Sequence, residues 1–201
     1  MPKEKIILTD CDGVLLNWNK AFEHFMLERG FPRMLGTAEE YRLSKRYGIS
    51  SHLASDLVKE FNESTLVGDL EPFADSVQYV NKLANKGFRF IVVTSISDHP
   101  NSKIYRTENL ERIFGKVFDD IHCLKTGESK ENILLNWAGS EFFWIEDHMR
   151  QAEAGHEAGL KTILINHPYN NHYTTDLFPK VSLEHPWKEI YRLIAKDYGL
   201  I

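Results

Sequence analysis

Apolar and polar positions along the chain follow two regimes that meet near residue 70. The first apolar run, Ile6-Ile7-Leu8, stops at Asp10-Cys11-Asp12-Gly13, the pattern of a buried parallel strand ended by a turn. From there the apolar period is helical. Trp18, Phe22, Phe25 and Met26 predict a helix over 17–29 closed by Gly30,. Residues 31–36, with Pro32 and Gly36, read as a loop,. Thr37 and Glu40 form a capping box that predicts a helix to about residue 47,. Leu53, Leu57, Val58 and Phe61 predict another over 51–61,. Beyond Glu71-Pro72, helical stretches (73–86, 102–114, 129–137, 149–158) alternate with short apolar runs (88–93, 121–124, 142–145, 162–165), and a helix over 186–198 ends the pattern. Repeated β-α-β units of this length predict an α/β fold with a right-handed, doubly wound parallel sheet.

Composition narrows the classes without selecting one. At 201 residues the chain can bury a full core, as one domain or one domain with a small insertion,. A net charge of −5 without a long basic block argues against duplex nucleic acid as a partner,. It leaves room for a nucleotide, which needs only a few local cations. No apolar run reaches membrane-spanning length and no secretory h-region is visible, so no membrane partner is expected,. Two cysteines cannot build a disulfide framework, so a reducing, cytoplasmic location is expected,. Cys11 reads as a small residue pointing into the core. The oligomeric state is not legible.

Candidate chemistry lies at the ends of the apolar runs. Asp10 and Asp12 leave one strand tip together, and Gly13 permits a sharp bend,. In open α/β sheets ligands sit outside the carboxyl ends of the strands. Two close carboxylates repel unless a cation lies between them, and a few hard oxygen donors suit Mg2+. Thr94-Ser95 ends the second predicted strand, offering a hydroxyl and backbone N–H groups to phosphoryl oxygens. Lys130, near a helix start, can neutralise the nucleophile and the transferring group; Lys125, directly after a strand, competes for this role. Glu146-Asp147 ends a further strand with hard oxygen ligands. His148 reads as a helix-start residue.

Asp10-Cys11-Asp12-Gly13-Val14-Leu15 resembles the first motif of the haloacid dehalogenase-like superfamily. Thr94-Ser95, Lys130 and Glu146-Asp147 resemble motifs two, three and four, in order and at strand ends. Trp18, Thr94-Ser95-Ile96, Asn166-His167-Pro168-Tyr169-Asn170 and Pro186-Trp187-Lys188-Glu189-Ile190 look like the 5′(3′)-deoxyribonucleotidase branch. The resemblance implies a Rossmann-like core over 1–16 and 71–201, with a small helical cap over 17–70 inserted after the first strand. It implies a Mg2+-dependent phosphomonoester hydrolase, a phosphatase working through an aspartyl-phosphate. In this reading Asp10 is the nucleophile, Asp12 the general acid/base, and Thr94 and Lys130 complete the catalytic set. Gly13, Ser95 and Trp18 bind substrate, while Asp10, the Asp12 carbonyl and Asp147 hold the metal. The substrate would be a small phosphorylated metabolite, with nucleoside monophosphates implied by the branch. A sugar-phosphate phosphatase, a phosphomutase and a catalytically silent binding domain on the same scaffold are the alternatives. Many superfamily members carry a second acid four or five residues after the fourth-motif Asp; here those positions are Gln151 and Ala152.

Overall fold

The computed structural model describes residues 4–73 and 75–201. Six strands form one parallel sheet: β1 (Ile6–Thr9), β2 (Arg89–Thr94), β3 (Phe118–Cys123), β4 (Phe143–Glu146), β5 (Lys161–Asn166) and β6 (Lys180–Ser182). Their order is β3-β2-β1-β4-β5-β6. The central strands are apolar on both faces because helices cover both. One cluster around Ile7, Phe90, Ile145, Ile163 and Trp187 packs on one side, and a second around Leu8, Val93, Leu134 and Trp144 on the other,. The chain builds outward from β1 to β3, then crosses to the opposite side of β1 for β4. This reversal opens a crevice between β1 and β4 at their carboxyl ends,.

The helices are α1 (Trp18–Glu28), α2 (Leu43–Tyr47), α3 (Ser51–Glu63), α4 (Ser76–Ala84), α5 (Pro100–Phe114), α6 (Glu131–Leu134), α7 (Met149–Glu157) and α8 (Pro186–Asp197). The first four lie between β1 and β2 in sequence, α1 to α3 before residue 70 and α4 after it. The chain departs and returns along one paired junction: the Asn17 N–H donates to the Glu71 carbonyl at 2.8 Å and the Phe73 N–H to the Leu15 carbonyl at 3.0 Å. Among the described residues no helix is long and apolar enough to cross a membrane.

Several local expectations need correction. The capping box at Thr37 does not form. The Thr37 hydroxyl donates to the Met34 carbonyl at 2.7 Å, and the Arg46 guanidinium takes the Glu40 carbonyl through Nε (3.0 Å) and Nη2 (2.9 Å). With those groups engaged outside a helical ladder, only 43–47 is helical,. The helix expected over 129–137 divides into α6 and a 3-10 turn, Leu135–Trp137. That expected over 73–86 begins at Ser76, its predicted start falling partly on residue 74, outside the described residues. The edge strand β6 escaped notice because three residues carry too little alternation to stand out,.

Candidate active site

Asp10 stands at the tip of β1, where its N–H donates to the Ile145 carbonyl of β4 at 2.8 Å. This sheet-type bond places Asp10 beside the β4 tip, where Glu146 and Asp147 emerge. All three acids are buried, and one carboxylate oxygen from each lies within 4.8 Å of the others. Lys130, which immediately precedes α6, reaches into the group. Its Nζ is 2.8 Å from Asp10 Oδ1 and 2.8 Å from Glu146 Oε2. Lys125, the competing candidate, is 72% exposed and lies 3.8 Å from Asp98 instead.

Three carboxylates against one ammonium, when all are ionised, leave two negative charges among buried side chains. Burial, reinforced by the Glu146 carboxylate and opposed by Lys130, pushes Asp10 up to about 7,. Glu146 is pushed up to about 7 by burial against the pull of Lys130. Asp147 is pushed up to about 7 by burial and by Asp10. Burial alone would lower Lys130, but Asp10 and Glu146 outweigh it and hold the ammonium charged. A divalent cation held by these oxygens would bring the charge to zero, and hard carboxylate donors of this kind suit Mg2+. The donor set therefore fits such an ion.

Glu146 is more than a neighbour. Its Oε2 accepts from Lys130 while its Oε1 accepts the N–H groups of Asp147 (3.1 Å) and His148 (3.0 Å). It fixes both the lysine and the turn that presents Asp147. Gly13, at φ +83°, explains why the first turn tolerates no side chain: a Cβ there would lie 2.7 Å from Asp147 Cγ,. From the loop after β5, the Tyr169 hydroxyl donates to Asp147 Oδ2, and Asn170 Nδ2 donates to the Asp147 and Ile165 carbonyls. His167 Nε2 pairs with the Gly13 carbonyl at 2.7 Å, and burial keeps this ring neutral, down to about 4.

Asp12 faces away from this acidic group, toward α5. Arg106 Nη2 lies 2.8 Å from Asp12 Oδ1 and 2.9 Å from Oδ2, and Nη1 donates to Cys11 Sγ at 3.2 Å. Arg106 is fully buried. Burial raises the Asp12 carboxyl above its usual range while Arg106 pulls it down. Arg106 went unnoticed in the sequence, since one arginine on a weakly amphipathic helix carries no motif. Its only signal was its position four residues after Ser102 and four before Leu110, on a face that proves buried.

Thr94 ends β2 and is buried, and the Ser95 hydroxyl donates to the Glu128 carbonyl at 2.8 Å, which leaves its backbone N–H as the group Ser95 can offer. Trp18 begins α1 and stacks on Phe22, with ring centroids 4.4 Å apart. Asp10, Asp12, Gly13, Trp18, Thr94, Ser95, Lys130 and Asp147 all line one open cleft of about 1260 Å³. His148 precedes α7, and its ring borders the same cleft against Tyr41.

A family model described as 5′ nucleotidase, deoxy (pyrimidine), cytosolic type C protein matches residues 4–198. An uncharacterised 32.4 kDa protein from the Gp30-rIII intergenic region of Enterobacteria phage T4 is 26% identical over 132 residues, 63% of this chain. The match spans 47% of that relative, about half its length. A haloacid dehalogenase-like family hydrolase from Streptococcus pneumoniae superposes with a TM-score of 0.66 at 14% identity, covering 96% of this chain and 100% of that one. CbbY from Rhodobacter sphaeroides, solved in complex with phosphate, gives a TM-score of 0.61 at 18% identity over 93% and 96% of the two chains. At such identities the structures establish the fold. With the family match over nearly its whole length, the chain belongs to the 5′ nucleotidase, deoxy (pyrimidine), cytosolic type C family, and it shares the fold of haloacid dehalogenase-like proteins.

Proposed function

We propose that this protein is a phosphatase, a Mg2+-dependent phosphomonoesterase that transfers phosphoryl groups through Asp10, with nucleoside monophosphates as its substrate class. The observation that carries the reading is the buried group of Asp10, Glu146 and Asp147 with Lys130 inserted between two of them. Asp10, Asp147 and the Asp12 carbonyl would hold the ion, which when bound shields the like charges of nucleophile and phosphate.

The chain's own residues supply the rest. Asp10 Oδ1 is occupied by Lys130 and by the Cys11 N–H at 2.7 Å, which orients the carboxylate and leaves Oδ2 to attack phosphorus in line,. As the new O–P bond forms and the ester P–O bond breaks, Asp12 gives its proton to the departing alkoxide. Asp12 then takes a proton from water, whose oxygen displaces Asp10 and releases inorganic phosphate. Arg106 holds Asp12 through both exchanges. Thr94, the Ser95 N–H and Lys130 hold the phosphoryl oxygens as their charge changes. Residues 17–70 form a cap over the cleft, and Trp18 offers a ring face to the leaving group, where stacking tolerates several bases.

The direct test is phosphate release from deoxynucleoside and ribonucleoside monophosphates, sugar phosphates and p-nitrophenyl phosphate, with Mg2+ or with EDTA. Mg2+-dependent release favouring the nucleoside monophosphates is expected. Release from sugar phosphates alone would retain the chemistry and discard this substrate class; release from none would discard the reading.

The shifted carboxyls give a second expectation. In the metal-free fold Asp10, Glu146 and Asp147 all bind protons more tightly than ordinary carboxyls do. Their contribution to stability is therefore present below about pH 4 and is lost as pH rises towards about 7. Mg2+ requires the deprotonated forms, so its effect runs the other way. Thermal unfolding in EDTA should show these groups destabilising the protein between pH 5.5 and 7.5, with Mg2+ raising Tm more at pH 7.5. An equal Mg2+ effect at both pH values would contradict metal binding by this group.

A further inference from the structure

Trp18 and the loop that follows Thr94-Ser95 belong to different parts of the chain, yet one side chain joins them. Asn62, on α3, is buried. Its Oδ1 accepts the Trp18 indole N–H at 2.9 Å, and its Nδ2 donates to the Ile96 carbonyl at 2.8 Å. Its own carbonyl accepts from the Ser102 hydroxyl of α5, also at 2.8 Å. One residue on, Glu63 accepts from the Ser97 hydroxyl at 3.2 Å. An indole N–H can only donate and a carbonyl can only accept, so a carboxamide is the side chain that serves both at this length. Asp lacks the donor, and Leu has neither group.

The indole is otherwise fixed by rings. Phe22 covers one face at 4.4 Å and 14°, and Phe61 meets it edge-on at 5.5 Å and 89°. Trp18 remains half-buried, and its uncovered part borders the cleft that contains Asp10. Hydrophobic packing alone would let the ring slide in its plane. The bond to Asn62 stops that motion, and through Ile96 refers the ring to the loop that continues from Thr94 and Ser95.

We propose that Asn62 is a specificity-determining positioning residue, which sets the distance between the indole that meets the leaving group and the loop that holds the phosphoryl group. This rests on the leaving-group reading given above. Because a planar base gains from stacking only at one separation from the reacting phosphorus, loss of the carboxamide weakens nucleoside substrates more than small alkyl phosphates.

The test compares kcat/KM for a nucleoside 5′-monophosphate with that for ethyl phosphate. Asn62→Leu, Asn62→Asp and Trp18→Phe should each lower the ratio about tenfold, the scale of one buried hydrogen bond lost. The Trp18→Phe/Asn62→Leu double variant should lower it no further, because both changes break the same bond. A ratio unmoved in both Asn62 variants, or multiplicative losses in the double variant, would overturn the proposal. The tether itself is read without turnover, by 19F resonances of protein labelled with 5-fluorotryptophan. The chain has four tryptophans, and the Trp18 signal is the one missing from Trp18→Phe. It should move or broaden in both Asn62 variants, and an unmoved signal would overturn the tether. A wild-type ratio near one would remove the leaving-group reading and the specificity role with it, whatever the resonance shows.

Discussion

Asp10→Asn should abolish turnover, by about a thousandfold or more, on the scale of losing a covalent nucleophile. The amide lacks the negative charge that makes Oδ2 a nucleophile. It is nearly the same shape, so the oxygen facing the Cys11 N–H and Lys130 can stay in place. The fold should survive. In EDTA above pH 7 the variant should melt no lower than the wild type, because one charge has been removed from a group that carries two in excess. Acid quench of the wild type after mixing with substrate should trap a phosphorylated protein, with the label on the peptide containing Asp10. Asp10→Asn should show none. Retention of a tenth of the wild-type rate would sink the nucleophile assignment.

Lys130→Met should cost about 10²–10³ in kcat, the loss seen when one preorganised electrostatic contact to a reacting group is removed. The lysine touches Asp10 and Glu146 with the same nitrogen, so its removal acts twice. The transferring group loses a cation. Glu146 is freed from its partner, and the turn to Asp147 loses its brace. Breaking a buried pair by deleting one member typically costs about 3–5 kcal/mol, so a lower Tm should accompany the kinetic loss. Lys125→Met is the control, since that ammonium lies in solvent beside Asp98. Steady-state kinetics and thermal melts on the two variants separate them. Equal losses in both would reopen the choice between the two lysines.

The strand-end pattern was legible because the sequence changes from apolar to polar or charged within one or two residues. Ile7-Leu8 to Asp10, Val92-Val93 to Thr94 and Trp144-Ile145 to Glu146 each mark where a buried strand meets the crevice. Such transitions are local, and a parallel sheet converts them into one lined edge. Arg106 was not legible, because the partner that makes its burial tolerable is 94 residues away. Nothing in its neighbours signals Asp12. Asn62 was hidden for the same reason: its bonds run to Trp18, Ile96 and Ser102, and only the fold brings these together. The misread capping box at Thr37 shows the opposite failure. A correct local motif lost its hydroxyl to Met34 and the carbonyl of its Glu40 to the Arg46 guanidinium.

The strand order also bears on how the chain is made. β1 is central, paired with β2 on one side and β4 on the other. During synthesis it emerges before either neighbour, and at about 5–20 residues per second the interval to β4 is roughly 10 s. For that time the β4 side of β1 has no partner strand, and Asp10 lacks its acidic neighbours Glu146 and Asp147. Completion of the acidic group therefore waits for β4, which enters only after the six helices α1 to α6 have been made. A nascent chain halted before residue 143 would carry an open strand edge and no reaction centre, a state for chaperones to shield.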